Sequence, residues 1–280
     1  ELSESAAPVG EAWKRAYLQP DGRVVDGVQH NASHSEGQGY GALLATEFGD
    51  EEAFNRIIAW TDSALAIRGD GLLAWRYLPD QANPVPDLNN ASDGDLFYAW
   101  AHVRASQRFA NSAHLQRAQQ LAAALADRCI VPSRENAAET VFLPAAQGFV
   151  HEDRVVFNPS YIMPLAMREL ASATGVIELA MTAQHAEAML LRLADTGPVP
   201  DWVQVTASGL ALLTFPFGWA VPTPGEAAIL VLTGLLGGVG QIFLTSSYRE
   251  ADASLVAPFD YASMLLALAI GYWVFAEVPT

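Results

Sequence analysis

The sequence has little basic charge and almost no cysteine, and each scarcity excludes a class of protein. The 280 residues include 15 Lys and Arg against 31 Asp and Glu, a formal net charge of -16. Binding to nucleic acid needs a cationic surface that neutralises phosphates, so we expect no nucleic-acid partner. The single cysteine, Cys129, excludes an intrachain disulfide. It ends an apolar helical stretch and is best explained as a buried structural thiol.

The last quarter of the chain is nearly devoid of charge. Residues 203–280 contain one basic residue, Arg249, and five acidic ones. Two apolar runs, at 227–244 and 254–275, each approach the length of about 20 residues that crosses a bilayer. Glycines within the first run are typical of close packing between membrane helices. The pattern predicts a transmembrane helical hairpin, with membrane association through residues 225–275; buried core helices are the alternative.

The first 202 residues have a different pattern, that of amphipathic helices separated by loops rich in Gly, Pro, Asn and Asp. Apolar residues recur at three- and four-residue spacing in seven stretches. Acidic residues at 50–52 and the pair Ser92-Asp93 are signals for helix starts. Only short pieces such as TVFLPA, at 140–145, resemble strands. We therefore predict an all-α domain of paired helices, whose loops line a cleft.

One carboxylate, Glu36, stands in the stretch SHSEGQGYG, where an apolar run begins. Ser33 followed by Glu36 fits the capping-box pattern, which is the commoner explanation. A catalytic role is the alternative, because a Glu among glycines and an aromatic ring can approach a substrate closely.

A second acidic stretch, ASDGDLFYAWA, contains Asp93 and Asp95 on either side of a glycine. Acidic residues at this position are favoured at a helix N-terminus. A calcium loop is discounted, since no third ligand follows at the required spacing. A sugar-binding role is the third interpretation, because Tyr40, Trp75 and Tyr77 could stack on a sugar or pack in the core.

Together these stretches resemble glycoside hydrolase family 8, especially its bacterial cellulases associated with cellulose synthesis. The resemblance runs over about residues 8–204, from EAWKRAYLQPDGRVVD through SHSEGQGYG, ASDGD and FNPSY to PDWV. It implies an (α/α)6 toroid and an inverting endo-β-1,4-glucanase. By this resemblance Glu36 matches the general acid, and Asp93 matches the acidic residue that binds the sugar at the cleavage point.

The resemblance also implies the residues that bind substrate. Trp75 lies where the family has a ring that stacks on the sugar, and Asn158, Ser160 and Tyr161 fall in a segment bordering the cleft. With Tyr40 and Asp95, these residues complete the predicted substrate-binding set. The six histidines show no zinc-like spacing, so we expect neither a metal nor a cofactor.

The sequence departs from the family after PDWV. The general base of this branch is an Asp in a pattern like S-Y-D-A-x-R, which does not occur downstream; the nearest match is PFDYA, around Asp260. The tail instead resembles two helices of the drug/metabolite transporter superfamily. We predict a truncated hydrolase-like domain at 1–204, a junction at 205–224 and hydrophobic helices at 225–280, which leaves the toroid incomplete.

Three functions are compatible with this sequence. The first is a β-1,4-glucan hydrolase, secreted or periplasmic and tethered by the hairpin, whose activity is impaired by the missing base. The second is a glucan-binding protein that does not cut its ligand. The third is a membrane-anchored fragment of a transporter fusion.

Overall fold

The computed structural model describes residues 7–195 and 199–212, and seven α-helices dominate this part of the chain. Each helical stretch that the sequence predicts contains a helix, and α4 begins at Ser92 as expected. The helices are α1 (Ala7–Tyr17), α2 (Ser35–Glu47), α3 (Glu51–Ala64), α4 (Ser92–Arg108), α5 (Ser112–Cys129), α6 (Pro164–Thr174) and α7 (Ile177–Ala194).

Three small antiparallel sheets accompany the helices, and the predicted all-α domain did not include them. Strand β1 pairs with β2, β3 pairs with β4, and β6 lies between β5 and β7. The strands are β1 (Ser33–His34), β2 (Arg76–Tyr77), β3 (Ile130–Pro132), β4 (Thr140–Phe142), β5 (Arg154–Phe157), β6 (Val203–Thr206) and β7 (Gly209–Leu212). The TVFLPA segment predicted as a possible strand does contain β4.

The three-stranded sheet could not be predicted from local sequence patterns, and the reason is physical. Strands β5 and β6 are four residues each, too short for period-two alternation to be distinctive. Their pairing joins Arg154 to Thr206 and Phe157 to Val203, across a long stretch of intervening chain. Such a contact depends on tertiary packing, which local propensity does not record.

Helix α4 is held between two buried apolar clusters, and this fixes the position of its N-terminus. Leu96, Ala99 and Val103 belong to the larger cluster, which extends to α5, α6 and α7. Ala101 and Ala105 belong to the smaller one, with Phe54 and other residues of α2 and α3. A helix packed on both sides has little freedom to shift, since protein interiors are close-packed.

The chain divides into two compact units, residues 1–214 and 215–280. The predicted hydrophobic helices at 225–280 lie outside the described residues. Across 7–195 and 199–212, none of the helices combines the length and apolar character needed to span a bilayer. Strands β6 and β7 continue the first unit beyond the predicted domain end at 204.

Candidate active site

Glu36 lies in the first turn of α2, placed there by the small β1–β2 ladder. Ser33 pairs with Tyr77 and His34 with Arg76, and the Ser35 N–H donates to the Trp75 carbonyl at 2.9 Å. The residue before the helix is His34, in extended conformation and without a side-chain cap. Ser33 instead belongs to β1, and its buried hydroxyl has no partner among the described residues. The capping box is therefore absent, and Glu36 needs another explanation.

Asp93 lies in the first turn of α4, in the equivalent place on a second helix. The Ser92 N–H donates to the Pro144 carbonyl at 2.8 Å, which anchors the start of the helix. Asp93 is 8% exposed, and its Oδ1 accepts from the Gly94 N–H at 2.7 Å. Both acids thus stand at helix N-termini, where the helix dipole favours negative charge.

Two glycines allow these helix ends to touch. A Cβ on Gly94 would lie 2.3 Å from the Ser35 Oγ and 2.7 Å from the Glu36 backbone nitrogen. A Cβ on Gly39 would lie 2.8 Å from the Phe97 Cβ and 3.2 Å from the Gly94 carbonyl oxygen. Only residues without a side chain fit at these two points. The contact brings Glu36 and Asp93 to the same face of the molecule.

The electrostatics show that the two carboxyl groups interact. Burial raises the pKa of Asp93 to about 7, and the charge of Glu36 adds to the effect. Burial also raises the pKa of Tyr161 to about 12, with further contributions from Asp93 and then Glu36. The phenol of Tyr161 therefore lies within the field of both acids. A group of this kind, buried beside a like charge in a cleft, is typical of catalytic sites.

Both acids open onto one cleft with a volume of about 580 Å³. Carboxylates and aromatic rings share its wall, a combination suited to a polyhydroxylated ligand with apolar faces. The rings are those of Trp13, Tyr17, Tyr40, Trp75 and Tyr161, and the carboxylates are those of Asp26, Glu36 and Asp93.

Tyr40 and Trp75 have specific partners within this cleft. The Tyr40 hydroxyl donates to Glu36 Oε1 at 2.7 Å, and its ring packs on Phe97 with centroids 4.3 Å apart. Tyr40 is 40% exposed and one helical turn beyond Glu36, so it can both orient the acid and contact a ligand. The Trp75 indole N–H donates to Asp87 at 2.9 Å, which fixes the ring in the cleft wall.

One residue of the FNPSY segment, Tyr161, lies in the cleft, and Asn158 and Ser160 hold it there. Asn158 Oδ1 accepts from the Ser160 N–H at 2.9 Å and from the Ser160 hydroxyl at 2.7 Å. These bonds cap the short 3-10 turn Pro159–Tyr161, whose last residue lines the cleft. Neither Asn158 nor Ser160 is part of the cleft lining, and their mutual hydrogen bonds support Tyr161. Their contact with substrate stays a prediction.

Asp95 does not lie in the cleft, which corrects its prediction as a substrate-binding residue. Its side chain is completely buried. Oδ1 accepts from the Leu73 N–H at 2.8 Å and Oδ2 from the Asn90 side-chain amide at 2.9 Å. Side chains two positions apart on a helix point about 200° apart, to nearly opposite sides. Asp95 therefore faces the core while Asp93 faces the cleft. Its role is to join α4 to the preceding loop.

Other cleft residues escaped the sequence-based prediction. Trp13 and Tyr17 of α1 line the cleft, with ring centroids 6.3 Å apart, and the loop around Asp26 forms another part of the wall. The spacing of Trp13 and Tyr17, one helical turn, was available as a signal but equally suits core packing. Within the residues that the structure describes, no three His, Cys, Asp or Glu side chains are grouped to hold a metal ion.

Replacing Asp93 by Asn should stabilise the fold at alkaline pH. The folded protein holds the Asp93 proton up to a pKa of about 7, against an ordinary value of 3.8. Between these values the folded state binds more protons than the unfolded state, so its stability falls as pH rises. We expect Asp93→Asn to unfold at higher urea than the unmodified chain at pH 8, by roughly 2–4 kcal/mol, and to differ little at pH 4. An equal difference at both pH values would contradict the assignment.

Known proteins resemble the chain over most of its length. The model of "Glycosyl hydrolases family 8" matches residues 2–219. An endoglucanase from Cellulomonas uda is 34% identical over 204 residues, which are 72% of this chain and 56% of that protein. The crystal structure of a family 8 endoglucanase from Klebsiella pneumoniae is 33% identical, with a TM-score of 0.69, and the match covers 75% of this chain and 68% of that one. The chain thus spans a little over half the length of the Cellulomonas relative.

A separate similarity concerns transport proteins. A riboflavin transporter from Rhizobium johnstonii is 44% identical over 71 residues, which are 25% of this chain and 22% of the transporter. This partial match agrees with the resemblance of the apolar tail to the drug/metabolite transporter superfamily.

The helix-rich architecture of the described residues fits the toroid of the hydrolase family.

Proposed function

Because the chain belongs to glycosyl hydrolase family 8, we propose that it acts on β-1,4-glucan as an inverting endoglucanase, with Glu36 as the general acid. The observation that carries the proposal is the contact between the N-termini of α2 and α4. It brings Glu36 and Asp93 to one cleft whose rings suit sugar stacking. The similarity to two endoglucanases, from Cellulomonas uda and Klebsiella pneumoniae, gives further support.

The proposed reaction breaks the bond between the anomeric carbon and the glycosidic oxygen. The Glu36 carboxyl gives its proton to that oxygen as it leaves, while water attacks the anomeric carbon from the opposite face and gives up one proton, to a base carboxylate or to bulk water. Tyr40 holds Glu36 Oε1 and so orients the carboxyl toward the leaving oxygen. Asp93 and Tyr161 contact the hydroxyls of the sugar at the cleavage point, and Trp75 carries a neighbouring sugar ring.

The general base that would activate the attacking water has little support in this chain. An inverting enzyme needs a second carboxylate roughly 6.5–9.5 Å from the acid, and the S-Y-D-A-x-R motif that carries it in this branch does not occur in the sequence. Asp26 is the third carboxylate of the described cleft lining, but its Oδ1 accepts from the amides of Val28 and Gln29. We therefore expect hydrolysis about 10²–10⁴-fold slower than with a working base.

The test compares the 280-residue chain with the Cellulomonas uda endoglucanase on soluble cello-oligosaccharides. We expect α-configured products by NMR, as inversion requires, at a rate at least about 100-fold lower. A rate equal to that of the relative would contradict the impairment, and β-configured products would contradict inversion. Binding without product would favour the non-catalytic alternative, and absence of both would remove the glucan as ligand.

The remaining parts of the proposal concern location. A β-glucan polymer lies outside the cytoplasm, so we place the hydrolase-like domain in the periplasm or the medium. Membrane association through residues 225–275 stays a prediction, since these residues lie outside the described part of the chain.

A further inference from the structure

A second cavity adjoins the cleft. It has a volume of about 510 Å³, and its wall includes Gln29, His30, Arg76 and Asp80. Val28 and Gln29 line both the cleft and this second cavity, so one loop separates them. Hydrogen bonds from Asp26 N–H to the Ala32 carbonyl, at 2.8 Å, and from Val28 N–H to Asp26 Oδ1, at 2.9 Å, close the loop. The cleft and the second cavity are therefore neighbouring spaces on either side of this loop.

Arg76 connects the two spaces. Its guanidinium carbon lies 4.2 Å from the centroid of Trp75, the cleft ring proposed to carry a sugar, while the residue itself lines the second cavity. Its Nε is buried without a hydrogen-bond partner, and in the described part of the chain no carboxylate lies within ion-pair distance of it. The Asp87 carboxylate lies nearby: its pKa is lowered by hydrogen bonds from the Asn89 N–H and the Trp75 indole, and also by the charge of Arg76. The guanidinium is thus held against a ring and forms no ion pair among the described residues.

The surrounding charge makes this arginine distinctive. The cleft wall contributes the carboxylates of Asp26, Glu36 and Asp93, and the second cavity contributes Asp80. Arg76 is the single Lys or Arg among the described residues that line the two spaces. The other charged side chains in these two linings are carboxylates, which repel an anionic polymer.

We propose that Arg76 is a specificity residue that receives a carboxylate carried by a sugar unit bound beside Trp75. The inference rests on the proposed glucan substrate and adds a preferred class within it, a β-1,4-glucan with sparse acidic substituents. The guanidinium presents several N–H donors in one plane, which match the two oxygens of a carboxylate. Arg76 lines the second cavity, whereas Glu36 and Asp93 line the cleft.

Binding, measured with cleavage suppressed, tests this inference. The Glu36→Gln background is combined with Arg76→Gln, Arg76→Lys or Arg128→Gln, and each protein is titrated with carboxymethyl cellulose and with neutral hydroxyethyl cellulose of equal substitution. We expect Arg76→Gln to weaken binding of the carboxymethyl polymer about 3–10-fold and to change binding of the neutral polymer less than 2-fold. Arg76→Lys should retain part of the preference, and 0.5 M salt should reduce it.

The control and the contrary outcomes are distinct. Arg128 is an exposed arginine at the end of α5, paired with Asp127 and outside both cavities, so Arg128→Gln should bind both polymers as the parent does. If Arg76→Gln weakens both polymers equally, Arg76 only supports Trp75 and the inference is wrong. If it changes neither, the inference is also wrong while the glucan proposal stands. If the parent binds neither polymer, both fail together.

Discussion

Glu36→Gln should greatly slow hydrolysis of cello-oligosaccharides and have a much smaller effect on that of an activated substrate. A sugar leaving group needs a proton as the bond breaks, and Gln has none to give, so we expect a loss of about 10²–10⁴-fold. A dinitrophenyl β-cellobioside releases dinitrophenolate, which leaves without protonation, so its hydrolysis should fall by less than about 10-fold. Initial rates on the two substrates, measured side by side, check the assignment of the general acid.

The matched control for this experiment is Glu52→Gln. Glu52 lies in the first turn of α3, as Glu36 does in α2, but its side chain is 87% exposed and pairs loosely with Arg56. Its replacement should leave both rates unchanged. Equal losses on the two substrates with Glu36→Gln would show that Glu36 is not a proton donor, because a binding defect does not distinguish leaving groups.

Gly94→Ala should destabilise the first unit and reduce activity together. Ala is favoured over Gly in a helix by about 1 kcal/mol, which by itself predicts stabilisation. The added methyl, however, would lie 2.3 Å from the Ser35 Oγ and 2.7 Å from the Glu36 nitrogen, which is backbone and cannot rotate away. Overpacking of this kind costs roughly 1–3 kcal/mol or more, and the clash outweighs the propensity. Urea denaturation and the rate on cello-oligosaccharides measure the two effects.

Gly37→Ala is the matched substitution for stability. Gly37 lies in the first turns of α2, and the nearest atom to an added Cβ is the Val24 Cγ1 at 3.9 Å, an ordinary contact. We expect Gly37→Ala to be neutral or up to about 1 kcal/mol more stable. If Gly94→Ala is as stable as Gly37→Ala, the helices can separate at no cost, and their contact does not fix the distance between the acids.

The helices were predictable because their signals are local. Asp50 accepts from the Ala53 N–H at 3.0 Å, as its position before three- and four-residue periodicity indicated. Glu36 and Asp93 were singled out from the sequence together with the glycines next to them. Their meeting depends on a Gly39–Gly94 crossing between helices more than 50 residues apart in sequence, which no local pattern encodes.

The errors share a cause. Asp95 carries the same chemical group as Asp93, two positions away, and only the direction of the side chain decides that one is enclosed by Leu73 and Asn90 while the other meets the cleft. Asn158 and Ser160 belong to a segment that borders the cleft, and the hydrogen bond between them supports Tyr161, so their contact with substrate stays a prediction. A sequence shows which residue types stand together, but the path of the backbone selects which of them a ligand can touch.

The sheet of β5, β6 and β7 has a consequence for how the protein can be divided. Strand β5 ends at Phe157, immediately before the turn that carries Tyr161, and its hydrogen-bonding partner is β6, at residues 203–206. A shortened version cut at 204 would keep both carboxylates but leave β5 as a bare edge, open to pairing with another molecule. The smallest useful fragment therefore extends through Leu212, and a cloning boundary chosen by motif alone would remove the support of the ring that faces the two acids.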